Sequence, residues 1–299
     1  MIDASLRDVH HPVLLEETID MLQVVPGGVY MDGTFGLGGH TKEILQRSAP
    51  DGKVVAFDWD AEAIRLGLEN VGPFRDRIQV INRNFKEIDL GLKEAGQSAV
   101  NGILIDIGLS SLQLEAEGRG FSFSRSEALD MRMDRRRQVT AAQIVADSTE
   151  NELADIFYYY GDEKQARRIA ARIVEERKRQ RIELTTQLAE IVGAAIPKKY
   201  HPARIHVATR VFQALRIAVN EELANLKEIL EKAAAHLLPG GRICVISFQS
   251  LEDRIVKRAL AGSAELKVLT KKPITPGEAE IRQNPRARSG RLRVAERLV

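Results

Sequence analysis

Five short apolar runs punctuate the chain: GVYMDGT (28–34), KVVAFDWD (53–60), RIQVINRNF (77–85), VNGILIDIG (100–108) and GRICVISF (241–248). The middle of each is rich in Val, Ile or Phe. The runs are continuous rather than alternating, the pattern of strands covered on both faces. Helical patterns separate the first four, one from His40 to Arg47 after a glycine loop and one from Ala61 to Asn70. Strand and helix in alternation predict a parallel sheet with helices on its faces. From about Gln113 to about Arg204 the alternation stops. Helical stretches take over at 141–146, 150–160, 163–181 and 185–196, the last stopped by Pro197. In the third, Ala166, Ile169, Ala170, Ile173 and Val174 fall at i, i+3, i+4, i+7 and i+8, one apolar stripe with Arg and Lys opposite. This block reads as a helical insertion. A long helical region from Val207 to Leu238 follows, ended by Pro239-Gly240-Gly241, and the fifth strand rejoins the sheet. LKVLTK (266–271) and RLRVAERL (291–298) read as an antiparallel edge pair with a long polar loop between them.

Length and composition agree. The 299 residues are 44% hydrophobic and 29% charged, a globular mix long enough for about two domains. No run approaches the roughly 18 apolar residues of a membrane span. MIDASLRDVHHPVLLEE lacks the basic and apolar regions of a secretory signal, so a cytoplasmic protein is expected. The single Cys244 sits inside RICVISF and reads as a buried core thiol. A disulfide scaffold and a zinc finger are excluded on that count. The net charge of +2 hides an asymmetry. Residues 1–118 hold 10 Lys/Arg against 19 Asp/Glu, and residues 119–299 hold 34 against 23. A basic second part suits a polyanionic partner. Its densest blocks are Arg135–Arg137, Arg177–Arg181 and the tail from Arg282 to Arg297.

The first strand runs straight into Asp32-Gly33-Thr34-Phe35-Gly36-Leu37-Gly38-Gly39-His40. Glycines there let the chain turn sharply and bring backbone against a ligand. A dinucleotide fingerprint needs a third glycine where Thr41 stands, which speaks against a nicotinamide oxidoreductase. An acid, three residues and then G-x-G resembles instead the first motif of class I S-adenosylmethionine methyltransferases. Asp58 ends the second strand, where a carboxylate can accept both hydroxyls of an adenosine ribose. The other reading of Asp58 is an N-cap for the helix from Ala61. Phe85 ends the third strand and is placed to cover an adenine face; Asp106 ends the fourth. Asp32, Asp58 and Asp106 thus share the carboxyl edge of a parallel sheet, where open α/β folds bind ligands.

The wider pattern resembles the MraW-type (RsmH-type) methyltransferases, which methylate N4 of a cytidine in bacterial small-subunit ribosomal RNA. The resemblance runs nearly end to end. It includes His11-Pro12-Val13-Leu14-Leu15, the glycine loop, Asp106-Ile107-Gly108-Leu109-Ser110-Ser111 with Gln113, and Arg119-Gly120-Phe121-Ser122-Phe123. It continues through Leu129-Asp130-Met131-Arg132-Met133-Asp134, Phe212–Ile217 with Val219-Asn220, Ser250–Arg254 and Asn284–Ser289. It implies a Rossmann-like class I methyltransferase domain in two parts, 1–112 and 207–299, around a helical substrate-recognition domain, 113–206. It implies S-adenosylmethionine contacts at Gly38, Gly39, His40, Asp58, Phe85, Asp106 and Gln113. Its substrate would be small-subunit ribosomal RNA or a partly assembled small subunit, at the decoding region; whether the enzyme is a homodimer stays open. Two positions depart from the family pattern: Gln249 where His is usual, and Glu127-Ala128 where Gly-Pro is common.

Methyl transfer needs an aligned amine whose hydrogen bonds are accepted, not a strong base. Asp106 is the candidate acceptor, or else a purely cofactor-contacting group. Ser110, Ser111 and His11 are further candidates, and Asn220 and Glu252 can be structural or functional. Arg286, Arg288, Arg291 and Arg293 are expected on RNA phosphates. No cluster has metal-ligand spacing, so no metal is expected. A non-catalytic RNA-gripping module would have Gln249 as its sign. A DNA cytosine-N4 methyltransferase would carry a Pro-Pro-Tyr-like run after Asp106, absent from Asp106-Ile107-Gly108-Leu109.

Overall fold

The computed structural model describes residues 12–108, 117–203 and 205–299. The expectations placed on His11, Ser110, Ser111 and Gln113 lie outside the described residues. The chain forms two compact units, one from Met1–Ser110 with Leu223–Val299, the other Ser111–Glu222.

The first unit contains α1 (Leu15–Leu22), β1 (Val29–Asp32), α2 (Gly39–Arg47), β2 (Lys53–Phe57), α3 (Ala61–Asn70), β3 (Ile78–Ile81), α4 (Ile88–Glu94) and β4 (Val100–Asp106). Among the described residues the helical unit contributes α5 (Ala141–Asp147), α6 (Glu150–Gly161), α7 (Ala166–Glu176), α8 (Thr185–Ala195) and α9 (Thr209–Asn220). The chain then runs through α10 (Glu222–Lys232), β5 (Leu237–Ser247), α11 (Ser250–Gly262), β6 (Leu266–Val268), α12 (Glu278–Gln283) and β7 (Arg291–Arg297).

The strands make one sheet in the order β3-β2-β1-β4-β5-β7-β6. The first five are parallel; β7 is antiparallel to both of its neighbours. This is the Rossmann-like arrangement that the resemblance implies. Both faces are buried, as the continuous apolar runs predict. Met31, Val55, Ile103, Ile105 and Val245 join one core cluster. Their strand neighbours Tyr30, Val54, Ala56, Leu104, Cys244 and Ile246 join the other. The period of two therefore persists, but each side meets a helix layer instead of water. Cys244 is buried as expected, and burial pushes its thiol far up.

Two expected elements differ. The pair β6–β7 is antiparallel, but β7 is interior, bonded along β5 from Arg242–Glu296 to Ser247–Arg291. The helical region expected from Val207 to Leu238 is broken. Glu221 takes φ 53 after α9, and β5 begins at Leu237. Pro239-Gly240-Gly241 is thus no helix stop. It fills the irregularity between the pairs Val100–Leu237 and Gly102–Arg242, with Gly240 at φ 77. A bulge is where a strand tolerates a residue without an N–H.

The boundary expected at 206/207 lies at Glu222/Leu223 by packing. Helix α9 buries Val211, Phe212, Leu215 and Val219 and packs on α5 and α6 within the helical unit. Its last residue, Asn220, is fully buried and structural. Its Oδ1 accepts from Met133 N at 2.8 Å, and its Nδ2 donates to the carbonyls of Met131 (2.8 Å) and Arg216 (2.9 Å). It holds the loop that places Met131 at φ 63. The stripe read in α7 is also internal, with Ala166, Ile169, Ala170 and Ile173 buried.

Much of the basic sequence is spent inside this unit. Arg177 donates to the carbonyls of Val145 and Ser148, both at 2.7 Å, closing the end of α5. Arg136 pairs with Asp134 at 2.8 Å and Arg137 with Glu221 at 2.9 Å.

Candidate cofactor site

The carboxyl ends of β1, β2, β3 and β4 bring the predicted acids and the glycine loop together in the first unit. Asp32 closes β1 and is buried. Its Oδ1 accepts from Thr34 N at 3.0 Å and its Oδ2 from Thr41 Oγ1 at 2.6 Å. Both carboxylate oxygens thus brace the loop, so Asp32 shapes the site. The turn itself needs glycine. Gly36 and Gly38 have φ of 52 and 76, and Gly38 opens α2 as its N-cap. A Cβ on Gly33 would lie 3.2 Å from Phe85 Cβ and 3.3 Å from the Leu104 carbonyl. Phe35 anchors the loop from below, only 2% exposed and pressed against Gly67.

Asp58 follows the last residue of β2. It does not cap α3; Asp60 does, accepting from Glu62 N at 3.1 Å. Asp58 reaches back to the glycine loop, its Oδ2 accepting from Gly36 N at 2.8 Å and its Oδ1 from Asp60 N at 2.9 Å. A carboxylate has about four lone-pair sites, so two remain for ribose hydroxyls. Phe85 lies beyond the end of β3, opening a 3-10 turn that Asn84 caps through Lys86 N at 3.0 Å. The Asn82 side chain donates to the Asp58 carbonyl at 3.0 Å and ties these two strand ends together.

Asp106 closes β4. Its backbone N–H donates to Thr34 Oγ1 at 2.7 Å. Its Oδ2 lies 3.9 Å from His40 Nδ1. Its Oδ1 is buried and has no hydrogen-bond partner among the described residues. A buried acceptor without a donor costs about 1–3 kcal/mol, so it marks a place where a ligand donor fits. The His40 ring is 3.2 Å from the Val13 carbonyl through Nε2, and Pro12 packs so tightly on Gly39 that a Cβ there would come within 2.3 Å. The first turn of α2 adds backbone N–H groups that lack intrahelical carbonyls, a natural seat for a cofactor carboxylate.

These contacts fit an amino-acid and nucleoside cofactor. Asp58 can take the ribose, Phe85 a base face, and Gly38, Gly39 and His40 the amino-acid end beside Asp106. The sequence signals did not pick out Thr34, Thr41 or Val13, which only hold other groups in place. Glu252 is buried and accepts from Phe248 N at 3.0 Å and Gln249 N at 3.1 Å. The Glu three residues after a helix cap is legible as half of a capping box. Gln249 is the half-buried residue at that cap, so its backbone is used structurally whatever its side chain.

The acids do not share one electrostatic state with solvent. Burial raises Asp58 to about 7, above its ordinary 3.8, with further help from Asp60 and Asp32. Burial likewise raises Asp106 to about 7, with the charges of Asp32 and Glu252 adding to it. Raised carboxyls hold protons in the folded state that the unfolded chain has released. Their stabilising contribution is complete below about pH 4 and is lost as pH rises through about 7. Cofactor binding runs the other way, because ribose donors need the carboxylate. Thermal shifts of the free protein are expected to fall from pH 5 to pH 8 while calorimetric affinity for the nucleoside cofactor rises. Parallel pH trends in the two measurements would contradict this assignment.

Among the tail arginines, Arg293 is not the phosphate contact that its place in a basic tail suggests. It is 6% exposed and makes a paired contact with Asp253, Nε–Oδ1 2.6 Å and Nη2–Oδ2 3.1 Å. It locks β7 to α11 and cannot reach a phosphate. Arg293→Ala is expected to cost about 1.5–3 kcal/mol in urea unfolding, because it takes two charge-assisted hydrogen bonds from the half-buried Asp253 carboxylate. Arg286 and Arg288 are exposed, and Arg291 is half-buried.

The comparisons with known proteins come to the same place. The model of the MraW methylase family matches residues 7–298. The ribosomal RNA small subunit methyltransferase H of Desulfotalea psychrophila is 57% identical over 290 residues, 97% of this chain and 98% of that protein. Its namesake in Nostoc punctiforme is 51% identical over 290 residues, covering 97% and 94%. Among solved structures, Aeropyrum pernix fibrillarin with natively bound S-adenosyl-L-methionine aligns at a TM-score of 0.42 and 11% identity, covering 94% of this chain and 73% of its own. With a match spanning almost every residue and relatives of the same length at half identity or better, this chain belongs to the MraW methylase family.

Proposed function

We propose that the protein transfers a methyl group from S-adenosylmethionine to the exocyclic N4 amine of a cytidine in the decoding region of bacterial small-subunit (16S) ribosomal RNA. Within the site, the observation that carries the reading is the buried Asp106 Oδ1 at the end of β4, which has no hydrogen-bond partner among the described residues. A cytosine amine supplies the N–H donor that this oxygen lacks. Accepting that hydrogen bond draws the nitrogen toward a tetrahedral geometry and exposes its lone pair. S-adenosylmethionine, when bound, supplies an electrophilic methyl group to that lone pair. Asp58 holds the ribose through the lone pairs that Gly36 and Asp60 leave open. The rigid glycine loop, braced by Asp32, fixes the direction of approach. The methylated nitrogen then gives up a proton, and Asp106, already raised to about 7, is able to take it at neutral pH.

The target cytidine must leave its stack to enter such a site. Arg286 and Arg288, exposed beyond α12, would hold flanking phosphates. An enzyme acting on ribosomal RNA would work in the cytoplasm. Among the described residues no helix is long and apolar enough to cross a membrane. The test is to incubate the protein with S-adenosylmethionine and small subunits from cells lacking this activity, then to digest the RNA for nucleoside mass spectrometry. New N4-methylcytidine is expected. Its absence while the cofactor still binds would overturn the cytosine-N4 reading and direct attention to Gln249→His.

A further inference from the structure

The helical unit contains a groove of about 560 Å³ that the chemistry above does not use. The volume lies in the usual range for small-ligand sites, about 300–1,000 Å³. Phe123 and His206 stack in its wall with ring centroids 4.6 Å apart and planes 30° from parallel. Phe212 backs Phe123 edge-on at 5.0 Å, which keeps the pair in place. His206 itself is exposed, so the outer face of the stack is open.

The polar groups around it have fixed roles. His206 Nδ1 accepts from Ala208 N at 3.2 Å, which leaves the proton of a neutral ring on Nε2 as a donor. His201 bonds the Ile196 carbonyl through Nε2 at 2.9 Å, so its Nδ1 is the acceptor. Glu190 adds an exposed carboxylate on the lining. Lys198 and Lys199 precede His201 in the chain and are exposed, with Lys199 lying over the Tyr200 ring at 4.9 Å.

An open aromatic face, one ring donor, acceptors for an exocyclic amine, and adjacent cations match an unstacked nucleobase and its phosphate. An apolar peptide would offer nothing to His206 Nε2–H, to His201 Nδ1 or to the lysine ammonium groups. We infer that this groove seats a single-stranded nucleotide of the substrate RNA, distinct from the cytidine that is methylated, with the base stacked on His206. The inference rests on the RNA-methyltransferase reading and adds a second contact point to it.

The test uses the full chain and a fluorescent, unpaired RNA of alternating cytidine and adenosine, titrated over a series of salt concentrations. His206→Asn keeps an acceptor for Ala208 N–H but removes the ring; His206→Phe keeps a ring and removes the acceptor. His206→Asn is expected to weaken binding about tenfold, as loss of one stacked base does, while His206→Phe stays near the parent. Lys198→Glu with Lys199→Glu is expected to weaken binding and flatten its salt dependence. S-adenosylmethionine affinity, read by calorimetry, stays unchanged in all three. Wild-type affinity in His206→Asn, or equal loss in His206→Phe, would overturn the inference. The methylation assay is scored separately. N4-methylcytidine formed by the parent, with RNA affinity unmoved in the variants, removes the groove and leaves the catalytic reading standing. No methylated cytidine, with affinity lost in the variants, removes the catalytic reading and leaves the groove as an RNA seat.

Discussion

Asp58→Ala is expected to weaken S-adenosylmethionine binding by about 100-fold or more and to stop methyl transfer at ordinary cofactor concentrations. Hydrogen bonds to a charged acceptor contribute about 1.5–3 kcal/mol each, and a ribose makes two. The substitution also releases Gly36 N–H, which Asp58 Oδ2 holds at 2.8 Å, so the glycine loop loses its tie to β2. Asp58→Asn separates these effects. Its amide keeps one acceptor for a ribose hydroxyl or for Gly36, but its NH2 faces either Gly36 N–H or Asp60 N–H as a second donor. An affinity between parent and Ala is therefore expected by calorimetry. Binding of Asp58→Ala at parental strength would show that the carboxylate does not hold the cofactor.

Asp106→Asn is expected to act on the chemical step. Removal of one preorganised electrostatic partner typically costs about 10²–10³ in kcat. The side chain keeps its shape, so cofactor affinity should change by less than about tenfold if the amine is its main partner. Single-turnover methylation of small subunits, read beside calorimetric affinity, measures the split. If affinity falls as far as the rate, Asp106 is a cofactor ligand and the amine finds its acceptor elsewhere. The variant should also lose the part of the rate profile that follows the group near pH 7, since the titrating carboxyl is gone.

The sheet and the acids at its edge were legible because burial on both faces leaves an unmistakable apolar run. The order of Asp32, Asp58 and Asp106 along three strands was enough to place them together. Their division of labour was not legible. Asp32 and Asp58 look alike in sequence and each accepts two hydrogen bonds, yet Asp32 is sealed in at 1% exposure by the loop it braces, while Asp58 is half-buried and open to a ligand. Asp60, two residues beyond Asp58, takes the capping role that proximity to the helix made equally natural for either. Arg293 misled for a related reason. A cation in a basic tail reads as a phosphate contact, and its burial depends on β7 entering between β5 and β6, a long-range pairing invisible in local pattern. The Pro-Gly-Gly at 239–241 suits a helix end and a bulge alike, and only pairing with Val100 decides between them.

The separation of β4 from β5 also sets an order of assembly. β4 ends at Asp106, and β5, with which it pairs in parallel, begins at Leu237. The whole helical unit is synthesised between them. That unit is contiguous and rich in neighbouring helix contacts, the kind of topology that folds quickly. A nascent chain can complete it while the sheet still has β4 as a bare edge. Until β5 emerges, the apolar strand β4 offers unpaired N–H and C=O groups to any other strand. Slow translation across residues 107–236 would lengthen that exposure, which ends when β5 emerges and pairs with β4.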